Sequence, residues 1–183
     1  MGPAEAGIPG PASAAGRWHY LLVAAVAGAV VLWRLGAPVL EDHECKLALS
    51  ARTMVQPELW LVPSGDEYEL PPNTPLNHWL VPVENGRPRL VKTPLPYWLA
   101  AGLARATAGL WGGRAEAVNA WTVRLPSAAA AILCAVVTLG IGRAMLSRRA
   151  ALMGAVMFAT CVGFQKWGRS ARPEMLLCVL MTA

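Results

Sequence analysis

Glu41-Asp42-His43-Glu44 sets three carboxylates and an imidazole side by side, just after a long apolar run. A carboxylate near lipid has its pKa raised by desolvation, which suits Asp42 or Glu44 to take a proton from an attacking hydroxyl. Asp42, His43 and Glu44 also offer the oxygen and nitrogen ligands of a divalent metal site. The competing reading is a solvated helix start, where the dipole favours acids. Lys92, within Arg87-Pro88-Arg89-Leu90-Val91-Lys92-Thr93-Pro94, is a cation for a phosphate or an interfacial lysine snorkelling to headgroups. Arg124 flanks an apolar run and serves as an anchor or a ligand contact. Arg172-Pro173-Glu174 opens the last apolar run, where Glu174 also suits a helix start.

The elements that must position these residues are membrane helices. Hydrophobic residues make up 55% of the chain and charged ones 15%, against about 25% charge in a soluble domain. The four cysteines, Cys45, Cys134, Cys161 and Cys178, occur singly, which argues against a zinc or disulfide framework. The net charge of +5 comes without a compact basic run, so anionic lipid or phosphate fits better than nucleic acid. Residues 1–16 are rich in Gly, Ala and Pro and read as a disordered tail. Trp18 to Leu35 follows, about 27 Å as a helix, close to a bilayer core, with tryptophans at both ends. A signal peptide is the rival reading, weakened by the length of the run and the lack of a small-residue cleavage site.

Residues 36–124 read as a long outer loop. Within it, Asp42–Met54 is expected to be a short amphipathic helix on the membrane surface. Trp60-Leu61-Val62-Pro63 recurs as Trp79-Leu80-Val81-Pro82, and 64–82 reads as an inserted segment. Thr93–Trp111, interrupted by Pro94, Pro96 and Arg105, is expected to lie in the interface or re-enter rather than cross. Leu125–Leu146 and Ala150–Trp167 are spanning candidates, and Met175–Ala183 begins another, so the chain reads as the N-terminal part of a longer protein.

Arg143, Arg148 and Arg149 bracket a tight turn, and the positive-inside rule places it in the cytoplasm together with the N-terminus. The 36–124 segment then lies outside. Asp42, Glu44, Lys92, Arg124, Arg172 and Glu174 are thereby expected to converge on one extracytoplasmic face.

The order of these pieces resembles a family. Asp-x-Glu after the first span, Ala51-Arg52-x-Met54 and Trp60-Leu61-Val62-Pro63 look like the first outer loop of the aminoarabinose transferase and protein mannosyltransferase superfamily, glycosyltransferases of the GT-C fold. Asn85-Gly86-x-Pro88-Arg89-Leu90-x-Lys92-x-Pro94-Leu95-x-Tyr97-Trp98 resembles their Asn-Gly…Lys-Pro-Pro…Tyr-Trp stretch. Val123-Arg124-Leu125-Pro126-Ser127 and Ala171-Arg172-Pro173-Glu174-Met175-Leu176 are similar to two further elements. The match runs in order over about residues 30–183. His43 interrupts the usual adjacent Asp-Glu pair, Glu174 stands where relatives have Asp, and Val91 stands where they often have an acid.

The resemblance implies an all-α polytopic membrane protein with juxtamembrane helices, residues 17–183 being the N-terminal part of a GT-C domain in the plasma (inner) membrane. It implies a hexosyl or pentosyl transferase that moves a sugar from a polyprenyl-phosphate donor to a lipid or protein acceptor, such as lipid A or a protein hydroxyl. Asp42 or Glu44 would be the base, with His43 beside them. Lys92 would hold the carrier phosphate as charge develops on it, and Arg124, Arg172, Glu174 and Tyr97 would line the substrate site. The resemblance makes no cofactor certain; a divalent metal at Asp42, His43 and Glu44 stays the one candidate, weakened by Val91. The alternatives are a non-enzymatic membrane subunit or transporter part, and an inactive truncated remnant.

Overall fold

The computed structural model describes residues 14–38, 40–56, 79–84, 87–88, 93–114 and 116–182. Lys92, the Trp60-Leu61-Val62-Pro63 copy of the repeat and most of the 64–82 insertion lie outside them. The described chain is mostly α-helical. In order it comprises α1 (Ala14–Leu32), α2 (Asp42–Val55), the two-residue strands β1 (Val83–Glu84) and β2 (Arg87–Pro88), α3 (Leu95–Thr107), a 3-10 turn (Ala108–Leu110), α4 (Ala120–Met145), α5 (Arg148–Thr160), α6 (Val162–Arg169) and α7 (Glu174–Thr182). The strands pair antiparallel, Val83 opposite Pro88 and Glu84 opposite Arg87.

Helix α4 is central and packs against α1, α3, α5, α6 and α7. Its start is set locally. Asn119 accepts the N–H groups of Trp121 (3.0 Å) and Thr122 (3.3 Å), and Thr122 Oγ1 accepts the N–H of Asn119 in return (3.0 Å). Pro126 lies inside α4, past its first turn, and removes the intrahelical donor to the Thr122 carbonyl. At about 39 Å, α4 exceeds a bilayer core. Among the described residues it is the one helix long and apolar enough to cross a membrane; Gly16–Leu32 of α1 is apolar but shorter.

Alanines share the bundle core with Val23, Val31, Leu35, Leu139 and Phe164. The helix contacts are lined by small residues: Ala27, Ala128, Ala131, Ala135, Ala155 and Ala159 are fully buried. Large apolar side chains point outward, with Met153 66%, Met157 69% and Leu180 68% exposed. Small residues let helix backbones approach closely, as membrane helices do. Gly168 of α6 shows the limit, since a Cβ there would lie 3.0 Å from the Ala131 Cβ and 3.1 Å from Val31.

Helices α1 and α4 run antiparallel. Arg143 near the end of α4 donates to the Gly16 carbonyl at the start of α1 (2.9 Å), and Arg124 at the other end reaches the Leu35 carbonyl. Arg17, Arg143, Arg148 and Arg149 thus gather at one end of the bundle. A second core, formed by α2, α3 and the approach to α4, sits at the other end and holds Leu47, Ala51, Met54, Ala100, Ala104 and Val123.

Three sequence expectations are corrected. Helix α1 begins at Ala14, inside the stretch read as a tail, and ends at Leu32 because Arg34 takes a left-handed conformation (φ 58°) that turns the chain. The run Ala150–Trp167 is not one helix but α5 and α6. Thr160 turns its hydroxyl back to the Val156 carbonyl (2.9 Å), Cys161 is extended, and its Sγ caps the N–H of Phe164 (3.4 Å). Finally, the apolar face of α2 is covered by protein. Leu47, Ala48, Ala51, Met54 and Val55 are buried, chiefly because α3 supplies a matching alanine face.

Candidate functional site

The acids after α1 split into two sets. Glu44 occupies the third position of α2, so its side chain turns back toward the helix start, and its Oε2 accepts the N–H of Glu41 (3.1 Å). It is 1% exposed and meets Arg124, 7% exposed, from the first turns of α4. The pair is bidentate: Arg124 Nε donates to Glu44 Oε1 (3.0 Å) and Nη2 to Oε2 (2.7 Å). The N–H of Ala171, in the turn before α7, also donates to Oε1 (2.9 Å). Arg124 Nη1 donates to the carbonyls of Leu35 (2.8 Å) and Ala37 (2.9 Å), which the turn at Arg34 presents to it. One buried ion pair thus joins the end of α1, the start of α2, the start of α4 and the α6–α7 turn.

This geometry decides what Glu44 can do. Burial pushes its carboxyl up. The Arg124 hydrogen bonds, the N–H groups of Ala171 and Glu41 and the Arg124 charge outweigh that and hold it below the usual glutamate value. Both oxygens already accept two bonds, so Glu44 is not placed to take a proton from a hydroxyl, as expected of a base; its side chain instead ties α2 to α4 and to the turn before α7.

Asp42 and His43 remain on the exposed side of α2. Asp42 accepts Lys46 Nζ at 2.8 Å, one helical turn on. Because Glu44 turns inward and its neighbours outward, Asp42, His43 and Glu44 do not converge, and among the described residues no group of three His, Cys, Asp or Glu is placed to hold a metal.

Arg172 lies on the same side as Glu41, its Nη2 3.5 Å from Glu41 Oε2, with its guanidinium 4.8 Å from the Trp167 ring centre. Its carbonyl accepts the Ser127 hydroxyl (2.9 Å), pinning this turn to α4. Glu174 begins α7, and its Oε2 is buried with no hydrogen-bond partner among the described residues. Tyr97 is placed differently from expectation. It is 2% exposed, within the core between α2 and α3, and does not face the Asp42 side with Arg172. Lys92 lies outside the described residues.

The structure therefore brings Glu44, Arg124, the Ala171–Arg172 turn and the start of α7 to one end of the bundle. Sequence reading passed over Glu41 and Trp167 as site residues, and the carbonyls of Leu35 and Ala37. The carbonyls carry no residue signature; Glu41 was visible as an acid at a helix start, but its partner is 131 residues away.

Compared with known proteins, the chain matches no family model, no curated protein and no solved structure.

Proposed function

We propose that the protein is a membrane glycosyltransferase of the GT-C type, moving a sugar from a polyprenyl-phosphate donor to a lipid or protein hydroxyl. One observation carries this reading. Three motifs of the resemblance, Asp42-His43-Glu44, Val123-Arg124-Leu125-Pro126-Ser127 and Ala171-Arg172-Pro173-Glu174, are far apart in sequence and meet at the Glu44–Arg124 pair. Such convergence is what one shared site requires and separate helix caps do not.

In this reading Asp42, on the exposed side of the helical turn that carries Glu44, takes the proton of the acceptor hydroxyl. Lys92 stabilises the charge growing on the leaving phosphate. Arg172 and Glu174 support the substrate, and Glu44 with Arg124 positions the acid-bearing turn. The basic end of the bundle lies in the cytoplasm, so the acid end is extracytoplasmic.

The test is transfer from polyprenyl-phosphate sugars in membranes carrying the full protein. Asp42→Asn and Lys92→Ala are each expected to cut the rate by about a hundredfold or more at unchanged protein level. Undiminished transfer in Lys92→Ala removes its phosphate role. Undiminished transfer in both variants overturns the assignment of the site, and no donor-dependent transfer by the unaltered protein favours a non-enzymatic membrane subunit.

A further inference from the structure

The basic end of the bundle is built where α1, α4 and α5 meet. Arg143, near the end of α4, donates to the Gly16 carbonyl at the start of α1 (2.9 Å), and its guanidinium lies over the Tyr20 ring, 5.2 Å from the centre. Helix α5 starts against the same turn of α4, because a Cβ on Gly142 would already lie 3.2 Å from the Ala151 Cβ. Arg17, Arg143, Arg148 and Arg149 are thereby gathered around one rim. Arg17, Arg148 and Arg149 are exposed and form no ion pair among the described residues. The described carboxylates belong to α2, β1, the segments before α2 and α4, and the start of α7. Nor do Arg148 and Arg149 serve their own helix. They stand in its first turn, where the dipole disfavours cations, and no acid there offsets them.

What borders these arginines selects the anion. Trp18 is 71% exposed beside Arg17, and Leu21 and Leu22 of α1 are exposed after it. Met145, 78% exposed, and Leu146 come just before Arg148. The arginines therefore mark the level at which an outward apolar surface ends. A soluble phosphate would match the charge and leave that apolar border in water. A lipid matches both: its phosphate meets the guanidinium groups, and its chains cover the leucines and Met145. Tryptophan favours this boundary, where chain meets headgroup.

We propose that this rim holds an anionic bilayer phospholipid, its phosphate among Arg17, Arg148 and Arg149 and its chains along Leu21, Leu22 and Met145. The proposal rests on the membrane part of the reading above and is independent of sugar transfer.

The test uses the full protein in nanodiscs at physiological salt. They carry a trace of phosphatidylglycerol with a photoreactive group on the acyl chain close to the head, or phosphatidylcholine bearing the same group. Labelled peptides are mapped by mass spectrometry. Labelling of 17–22 and 143–149 is expected to be about fivefold stronger with the anionic head. Arg148→Gln and Arg149→Gln together should remove that preference; both side chains are exposed, so the fold is kept. Arg34→Gln with Arg114→Gln takes the same charge from exposed positions at the other end and should leave the preference intact. Equal labelling by the two heads in the unaltered protein overturns the proposal. So does an equal loss in the two double variants, which would reduce the preference to net charge. Suppression of labelling by ATP at constant ionic strength, but not by excess phosphatidylglycerol, overturns it in favour of a soluble phosphate ligand. Failure of the protein to enter nanodiscs removes the membrane reading and this site with it. Head preference without sugar transfer would leave this site standing while removing the transferase reading.

Discussion

Arg124 and Glu44 hold each other in a place where neither would survive alone. A buried charge without its partner costs several kcal/mol, so Arg124→Ala is expected to destabilise the fold by about 3–5 kcal/mol, seen as a lower melting temperature in detergent. The depressed Glu44 carboxyl adds a pH dependence of defined sign. Above the ordinary glutamate value, about 4.3, the stabilisation is fully present. As pH falls below that value the unfolded chain takes up the proton first, and the contribution is lost as pH falls through the lower folded value. Acid melts of Glu44→Gln should lack this component; an unchanged acid profile would remove Glu44 as its source. At Arg34 the physics is conformational. A left-handed residue with a side chain is strained, and glycine relieves that strain at an entropic cost. Arg34→Gly should therefore raise stability by up to about 1 kcal/mol, and a clear loss would mean that the arginine side chain makes a needed contact.

Between helices, closeness is the controlling quantity. Helix α6 sits against α1 and α4 only because Gly168 has no side chain, and Arg169 then reaches the Val30 carbonyl near the end of α1, where helix carbonyls lack partners. Gly168→Leu should wedge these helices apart, cost about 1–3 kcal/mol, and weaken the turn that brings Ala171 to Glu44. Thermal unfolding together with protease sensitivity of the 168–174 turn would show it; a silent substitution would mean that α6 is not held in this place. The break at Cys161 also matters here, since it lets the chain turn over the bundle and start α7 beside Ser127.

For the whole molecule, the separation of charge along the bundle is the main feature. Arg17, Arg143, Arg148 and Arg149 occupy one end and the Glu44–Arg124 cluster the other. On the proposed threading, Ser147→Cys, in a chain whose native cysteines are replaced, reacts with a membrane-impermeant maleimide only after the membrane is opened. Labelling in intact cells would reverse the threading and put the acid cluster in the cytoplasm.

The helical character of α1, α2 and α4 was legible in the residues themselves, because apolar runs and helix caps act over a few neighbours. The apolar length of α4 and the presence of acids after α1 were equally visible. Other features were not. Whether Glu44 is a base or a strut depends on an arginine 80 residues away and a backbone N–H 127 residues away, and nothing local distinguishes the two roles. The burial of Tyr97 depends on α2 docking against α3, and the apolar face of α2 looked the same whether protein or lipid would cover it. The break between α5 and α6 escaped a reading of hydropathy, since Thr160 and Cys161 are tolerated in an apolar run and act through hydrogen bonds back to the chain. Short-range backbone bonding makes helices readable from sequence, whereas the protonation, exposure and partners of a side chain depend on which distant surfaces come to cover it.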